Sequence, residues 1–156
     1  MLNGSGRPFF ALIIGIDTYQ DTHIMNMPGC VADADDIQAF LTRDLQISRD
    51  RIVILRNEKA THTSIVQEIQ KIAVDDSVAF NHPILIYYAG CCEKVQDSAV
   101  LFPYDGAIDN GKLSNIFSDT ELNGHLKELA NRKGNNIVRW SIMCFFFSPN
   151  IILPRL

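Results

Sequence analysis

Two adjacent cysteines follow an apolar run near the middle of the chain. Residues 84–88 are predicted to form a strand, and the small residues Ala89 and Gly90 are predicted to form a turn that leads to Cys91 and Cys92. Open α/β sheets place their chemistry at the carboxyl ends of their strands. A thiol at such an end is able to act as a nucleophile or a metal ligand. This strand end is therefore the first candidate site.

The adjacent thiols do not have the spacing of a redox or metal motif. Redox pairs are usually spaced Cys-x-x-Cys near a helix start, and two adjacent thiols alone make a poor tetrahedral site. With Cys30 and Cys144 the chain has four cysteines, which lack zinc-ligand spacing. We therefore predict no metal site, and we interpret Cys91 and Cys92 as two small buried or half-buried residues. Four cysteines without a disulfide framework also predict a reducing, cytoplasmic location.

Strand and helix patterns alternate along the chain. Apolar or β-branched runs predict strands at 9–16, 51–55, 84–88 and 136–141, with a short edge strand at 99–102. Apolar residues at helical spacing predict helices at 33–45, from Thr61 onward, and from the Ser118 capping box to Gly134. This order predicts a three-layer α/β domain: a mostly parallel sheet with helices on both faces.

Composition and charge narrow the function classes. The 156 residues are 47% hydrophobic and 21% charged, enough apolar material for one core. The net charge of −4 comes without a Lys/Arg cluster, so nucleic acid is not a predicted partner. No apolar run is long enough for a membrane span. The turn after the first strand has no Gly-x-Gly-x-x-Gly or P-loop pattern, which argues against a nucleotide- or flavin-binding domain.

Four stretches of the chain form a recognisable set: residues 11–19 (ALIIGIDTY), 29–34 (GCVADA), 86–90 (IYYAG) and 133–138 (KGNNIV). In this order and spacing they resemble the caspase-like and metacaspase-like cysteine peptidases, most closely the fungal metacaspase-like branch. The resemblance implies a caspase-like fold and a cysteine endopeptidase that cleaves protein substrates after Arg or Lys. It also implies a relation to programmed cell death.

The resemblance assigns three site positions. The family's catalytic histidine follows the third strand, where this chain has Cys91, and its nucleophilic cysteine follows the fourth, where an ungapped count gives Cys144. Asp33 takes the position of an acid that lines the pocket for a basic substrate residue. Without the resemblance, Asp33 is better explained as a first-turn residue that stabilises a helix.

The chain departs from the family at both catalytic positions. No imidazole stands at position 91, and His62, His82, His125 and His23 are predicted to be surface or packing residues. Ile142 replaces the second pocket acid, and phenylalanines at 145 and 147 replace residues of the oxyanion turn. We expect Cys144 to be mostly protonated, because it is poorly solvated among phenylalanines with no imidazolium nearby.

These departures predict a caspase-like domain at 9–141, after a lead at 1–8, that is incomplete at its C-terminal end and followed by an atypical apolar tail at 142–156. The abrupt change after Val138 suggests the hypothesis that the remaining eighteen residues are foreign sequence, such as an unspliced intron or a frame-shifted end. Sequencing the transcript across this junction tests it. We predict an inactive domain; the alternatives are an endopeptidase that uses Cys144 and a regulatory or binding module that pairs with an intact relative. No cofactor is predicted, since two loop acids, Asp105 and Asp109, do not make a calcium site.

Overall fold

The computed structural model describes residues 8–95 and 98–145, and for Trp140 and residues 142–145 only the backbone. Eight strands and three α-helices follow one another in this part of the chain, with two short 3₁₀ helices beside β2. In chain order they are β1 (Phe10–Gly15), α1 (Cys30–Arg43), β2 (Ile52–Arg56), α2 (His62–Val74), β3 (Ile84–Val95), β4 (Ser98–Leu101), β5 (Ala107–Asp109), β6 (Lys112–Ser114), β7 (Phe117–Ser118), α3 (Asp119–Lys133) and β8 (Ile137–Phe145).

The main sheet is built on four parallel strands. β1 pairs with β2 on one side and β3 on the other, and β3 pairs with β8. All six residues of β1 are buried, as expected for a parallel strand covered on both faces. β4 and β7 extend the sheet in antiparallel sense from the far end of β3, while β5 and β6 form a separate hairpin.

Helices cover both faces of this sheet. Gly15 of β1 lies against α1, where a Cβ at Gly15 would come within 2.7 Å of the Ala34 side chain. Ile14, the preceding residue, points to the other face and lies with Ile69 of α2 and Leu122 of α3. The predicted three-layer α/β architecture is therefore confirmed.

Two helix starts agree with their sequence signals. The Thr61 side chain accepts a hydrogen bond from the Ser64 N–H at the start of α2, and the Ser118 side chain accepts one from the Glu121 N–H at the start of α3. Gly134 follows the last residue of α3 with φ of 87°. Capping residues thus define these helices locally.

The first helix begins three residues earlier than predicted. Gly29, with φ of 101°, makes no side-chain cap, and the Asp17 carboxylate instead accepts a hydrogen bond from the Val31 N–H at 2.9 Å. The cap is thus supplied by the loop after β1, fourteen residues away. Asp33 lies in the first turn of α1, but Asp35 and Asp36 lie beyond it.

Three short strands were not predicted. The β5–β6 hairpin turns at Asn110 and Gly111, whose φ values of 49° and 78° fit the two-residue turn that Asn-Gly favours. The signal was therefore present in the sequence. β7 pairs only two residues with β4, too few for a periodic pattern to reveal.

The predicted boundary at residue 141 falls inside β8, which continues to Phe145. Residues 146–156 of the predicted tail lie outside the described residues. Among the helices of the described part of the chain, none combines the length and apolar character needed to cross a bilayer.

Candidate functional site

The cysteine pair does not stand at a free strand end. β1 stops pairing with β3 at Ala89, but β3 continues to Val95 because its extension pairs with β4 from Cys92 onward. The predicted turn at Ala89 and Gly90 is therefore wrong, since both residues lie within the strand. Cys91 still lies beyond the end of β1, where the sheet opens toward the loop that follows β1.

Two buried tyrosines hold the backbone around Cys91. The Cys91 N–H donates a hydrogen bond to the Tyr19 hydroxyl at 2.5 Å. The Tyr88 hydroxyl lies 2.9 Å from the carbonyl oxygen of Cys91 and 2.8 Å from that of Phe102, and it also hydrogen-bonds with Tyr19. Burial raises the pKa of both phenols well above the ordinary value of 10. They therefore act as neutral, fixed hydrogen-bonding groups.

The two adjacent thiols face opposite sides of the sheet. Cys91 lies with Ile24, Phe102 and Ile108 around a small recess. Cys92, next along the strand, faces the opposite side, where burial and then the Asp119 carboxylate raise its thiol pKa to about 11. The pair cannot converge on one ligand, in agreement with its interpretation as packing residues.

The backbone register brings two of the predicted site positions together. Cys91 of β3 is the partner of Cys144 of β8 in a parallel ladder, and the next pair is Cys92 with Phe145. Residue 144 consequently lies inside a paired, extended strand and not on a turn beyond its end. The third position, Asp33, lies in the first turn of α1, which begins beside the end of β1.

Asp33 differs from Asp35, two residues further along α1. The Asp35 carboxylate is engaged by the Arg56 guanidinium, with Nε at 2.8 Å. Asp33 is exposed and makes no ion pair with the other described residues. The Asp33 charge also acts on the sheet. Burial is the main cause that raises the pKa of Tyr87 on β3 to about 12, and the negative charge of Asp33 is the second cause.

A histidine lies closer to Cys91 than the sequence indicated. His23, in the loop after β1, lines the same recess as Cys91. Its Nδ1 lies 2.8 Å from Asp21 Oδ1, and the other carboxylate oxygen of Asp21 accepts the Ile108 N–H at 2.7 Å. These two residues were missed, because only the long-range fold places this loop against β3. Their spacing, an acid two residues before a histidine, was the one local signal.

The other histidines have packing roles away from this edge. His62 stacks on Phe117 with ring centroids 4.2 Å apart and pairs with Glu121 at 2.8 Å. His125 lies 4.0 Å from the same carboxylate. The His82 ring accepts a hydrogen bond from the Ala79 N–H before β3 begins. These positions agree with their prediction as surface or packing residues.

Asp105 and Asp109, the two loop acids that were not predicted to bind calcium, also have structural partners. Asp105 accepts a hydrogen bond from the His62 N–H at 2.7 Å, at the start of α2. Asp109 belongs to β5 and accepts one from the Asn110 side chain. In the part of the chain that the structure describes, no group of three or more His, Cys, Asp or Glu side chains is arranged to hold a metal ion.

Comparisons with known proteins agree with this architecture. Residues 9–138 match the model of the caspase domain family. Among solved structures, the chain is similar to protein GSU0716 from Geobacter sulfurreducens, with a TM-score of 0.66 and 19% sequence identity. The match covers 87% of this chain and 50% of the other, so this chain spans about half the length of that relative. No curated protein matches the chain.

The parallel sheet covered by helices on both faces has the α/β architecture of the caspase-like class. Because the family match extends over most of the chain, the protein belongs to the caspase domain family of cysteine peptidases. The fungal metacaspase-like branch and the C-terminal truncation stay predictions.

Proposed function

We propose that this chain is a caspase-family domain of the metacaspase-like kind that recognises basic peptide segments but does not hydrolyse them. The observation that carries the proposal is the backbone at residue 144, which stays paired with β3 through Phe145. An oxyanion hole needs N–H donors that converge on one oxygen. Successive N–H groups of an extended strand point in opposite directions, so residues 144 and 145 do not supply such a pair.

The exchange of histidine for Cys91 supports the same proposal. Peptide hydrolysis by a cysteine needs an imidazole that accepts the thiol proton and later protonates the leaving amine. At the position where the family has this imidazole, the chain carries a thiol. A neutral thiol has no basic atom that could accept the proton of a second thiol, so Cys144 would not be activated to attack a substrate.

Recognition of a basic residue is proposed to depend on Asp33. Its exposed carboxylate lies in the first turn of α1, near the sheet edge that carries Cys91, and makes no ion pair with the other described residues. A carboxylate in this setting favours Arg or Lys by charge pairing. Such a domain would bind a protein segment without cutting it. We expect it to do so in the cytoplasm. Any role in cell death would then depend on an intact relative that can hydrolyse peptides.

Hydrolysis is tested with fluorogenic peptides ending in Arg or Lys, assayed with and without calcium. We expect no release above the blank. Release that disappears in Cys144→Ala would overturn the proposed loss of hydrolysis.

Binding is tested separately with two peptides that differ only in an Arg or a citrulline, which has nearly the same shape and no charge. We expect the Arg peptide to bind more tightly, with the preference lost in Asp33→Asn. Asp36→Asn, an exposed acid further along α1, is the matched control and should keep the preference. Equal binding of the two peptides to the parent would refute the recognition half of the proposal.

A further inference from the structure

Strand β8 lies at an edge of the main sheet. Among the described strands it pairs only with β3, along its whole length from Ile137 to Phe145. A strand in this position has backbone N–H and C=O groups on its outer side that no other strand of the described chain pairs. The free edge of β8 is therefore a surface to which a further strand can be added.

The ladder with β3 shows which backbone groups of β8 form this free edge. The Ile84 N–H donates a hydrogen bond to the carbonyl oxygen of Asn136 at 3.0 Å, so the backbone of residue 136 points toward β3. Because backbone directions alternate along a strand, every second residue after 136 also points toward β3. The N–H and C=O groups of the residues between them point away from β3. These outward residues are 137, 139, 141, 143 and 145.

β8 lacks the features that usually protect an edge strand. Protected edge strands are short, contain a bulge or carry charges and prolines that oppose further pairing. β8 is nine residues long, contains no proline and has one charged residue, Arg139. The Arg139 guanidinium lies 3.4 Å from the side-chain oxygen of Asn123 and 3.9 Å from the carboxylate of Asp119. Because both partners belong to α3, this charge is engaged within its own protomer and does not guard the edge.

The opposite edge of the sheet offers less strand for pairing. β2 is only five residues long, and a short 3₁₀ helix flanks it on each side. An added strand would therefore meet irregular backbone at both ends of β2. Of these two edges, β8 is the one that can accept a long strand.

Apolar surface accompanies the free edge of β8. Val138 is 56% exposed, although it belongs to a strand of the main sheet. A strand added to β8 would place its own side chains beside Val138 and cover part of this surface. Strand addition would thus bury apolar area as well as pair backbone groups.

We propose that the free edge of β8 binds the same strand of a second copy of this chain, in antiparallel sense, to form a two-fold symmetric dimer with a continuous sheet. Centring the pair on Ser141 uses every outward residue: 141 meets its own copy, 139 meets 143 and 137 meets 145. Arg139, the single charge of each strand, then lies opposite an uncharged residue and not opposite the other arginine. β8 is therefore a compatible partner for itself over its full length.

The oligomeric state in solution tests the proposal, and position 141 offers two matched variants. Sedimentation velocity of the full chain across the micromolar range should show a monomer–dimer equilibrium. Ser141→Pro removes the N–H that would donate to the second copy but none that donates to β3, so we expect its dissociation constant to rise at least about tenfold. Ser141→Ala keeps this N–H and should dimerise like the parent. Circular dichroism checks the folding of both variants.

Amide hydrogen exchange of the unchanged chain provides a second measurement that does not depend on the folding of Ser141→Pro. Dilution should speed exchange of the Arg139 and Ser141 amides, because these point toward the second copy. The amides of Val138 and Trp140 point toward β3 and should stay slow at every concentration.

Three results would overturn the proposal. The first is a chain that stays monomeric throughout the micromolar range, which would leave the edge to a different protein. The second is slow exchange of the Arg139 and Ser141 amides at every dilution, which would show that another part of the chain covers the edge. The third is a dimer that Ser141→Pro does not weaken. None of these measurements involves peptide binding or cleavage, so their outcome is independent of the proposed function.

Discussion

Position 90 has no room for a side chain larger than that of glycine. A Cβ built there would lie 2.6 Å from the Tyr88 hydroxyl oxygen and 2.8 Å from that of Tyr19, inside contact distance of two buried groups. We expect Gly90→Ala to lower the free energy of unfolding by about 1–3 kcal/mol, because the hydroxyls must give up their hydrogen bonds to make room. Chemical denaturation measures this change.

Gly124 provides the matched control for that substitution. It lies inside α3, and a Cβ there would meet nothing within 4 Å. Gly124→Ala should therefore stabilise the protein by up to about 1 kcal/mol. Loss of stability of equal size in both variants would show that the space around Gly90 is not the cause.

The buried tyrosines predict a loss of stability at alkaline pH. Burial, followed by the Asp33 charge, raises the pKa of Tyr87 from 10 to about 12 in the folded protein. Because the folded pKa lies above the unfolded one, the contribution of the neutral phenol is intact below pH 10 and is lost as the pH rises toward 12. Denaturation at a series of pH values should show this fall, and Tyr87→Phe should make it shallower. An unchanged slope in that variant would contradict the assignment.

At the residue scale, the sequence predicted Cys91, Cys144 and Asp33 as positions but not their surroundings. The register that pairs residues 91 and 144 depends on a strand order that only the folded chain defines. His23 could not be predicted to share a recess with Cys91, because the recess joins segments about 70 residues apart through loop packing. Local patterns carry no information on such contacts.

At the element scale, helix caps can be tested one at a time. The Thr61 side chain accepts the Ser64 N–H, which satisfies one of the unpaired donors in the first turn of α2. Thr61→Ala should lower the free energy of unfolding by about 1 kcal/mol, and Thr61→Ser should restore most of it because its hydroxyl can accept the same bond. Thermal or denaturant unfolding compares the three proteins. Equal losses in both variants would assign the effect to the lost methyl group and not to the cap.

Elements with local signals were predicted, and elements that depend on distant partners were not. The caps at Thr61 and Ser118 are encoded within four residues of each helix start, so these helices could be predicted from the sequence. The start of α1 could not, because its cap is Asp17 in another loop. The continuation of β3 past Ala89 likewise depends on pairing with β4, and a short run of mixed residues does not reveal it.

At the scale of the whole molecule, catalysis in this fold needs two strands to deliver two different groups to one edge. β3 and β8 are adjacent and in register, so the scaffold for that delivery is present. The sequence predicted this scaffold through the alternation of strands and helices, which fixes a parallel sheet with few alternatives. Whether the side chains at positions 91 and 144 can perform catalysis is a separate question, which substitutions can test.

Cys91→His tests whether the missing imidazole alone accounts for the proposed loss of hydrolysis. The substitution places an imidazole on β3 at the register partner of Cys144, but residue 144 still lies within a paired strand without converging N–H donors. We expect cleavage of Arg- and Lys-terminated peptides to stay at least about 100-fold below that of an intact caspase-family peptidase assayed alongside, since one oxyanion donor alone is worth about that factor. Circular dichroism should confirm folding, because position 91 is buried and the larger ring must use the adjacent recess. Rapid cleavage by Cys91→His that is abolished by adding Cys144→Ala would instead show that the β8 backbone supports catalysis, and that the loss follows from a single residue.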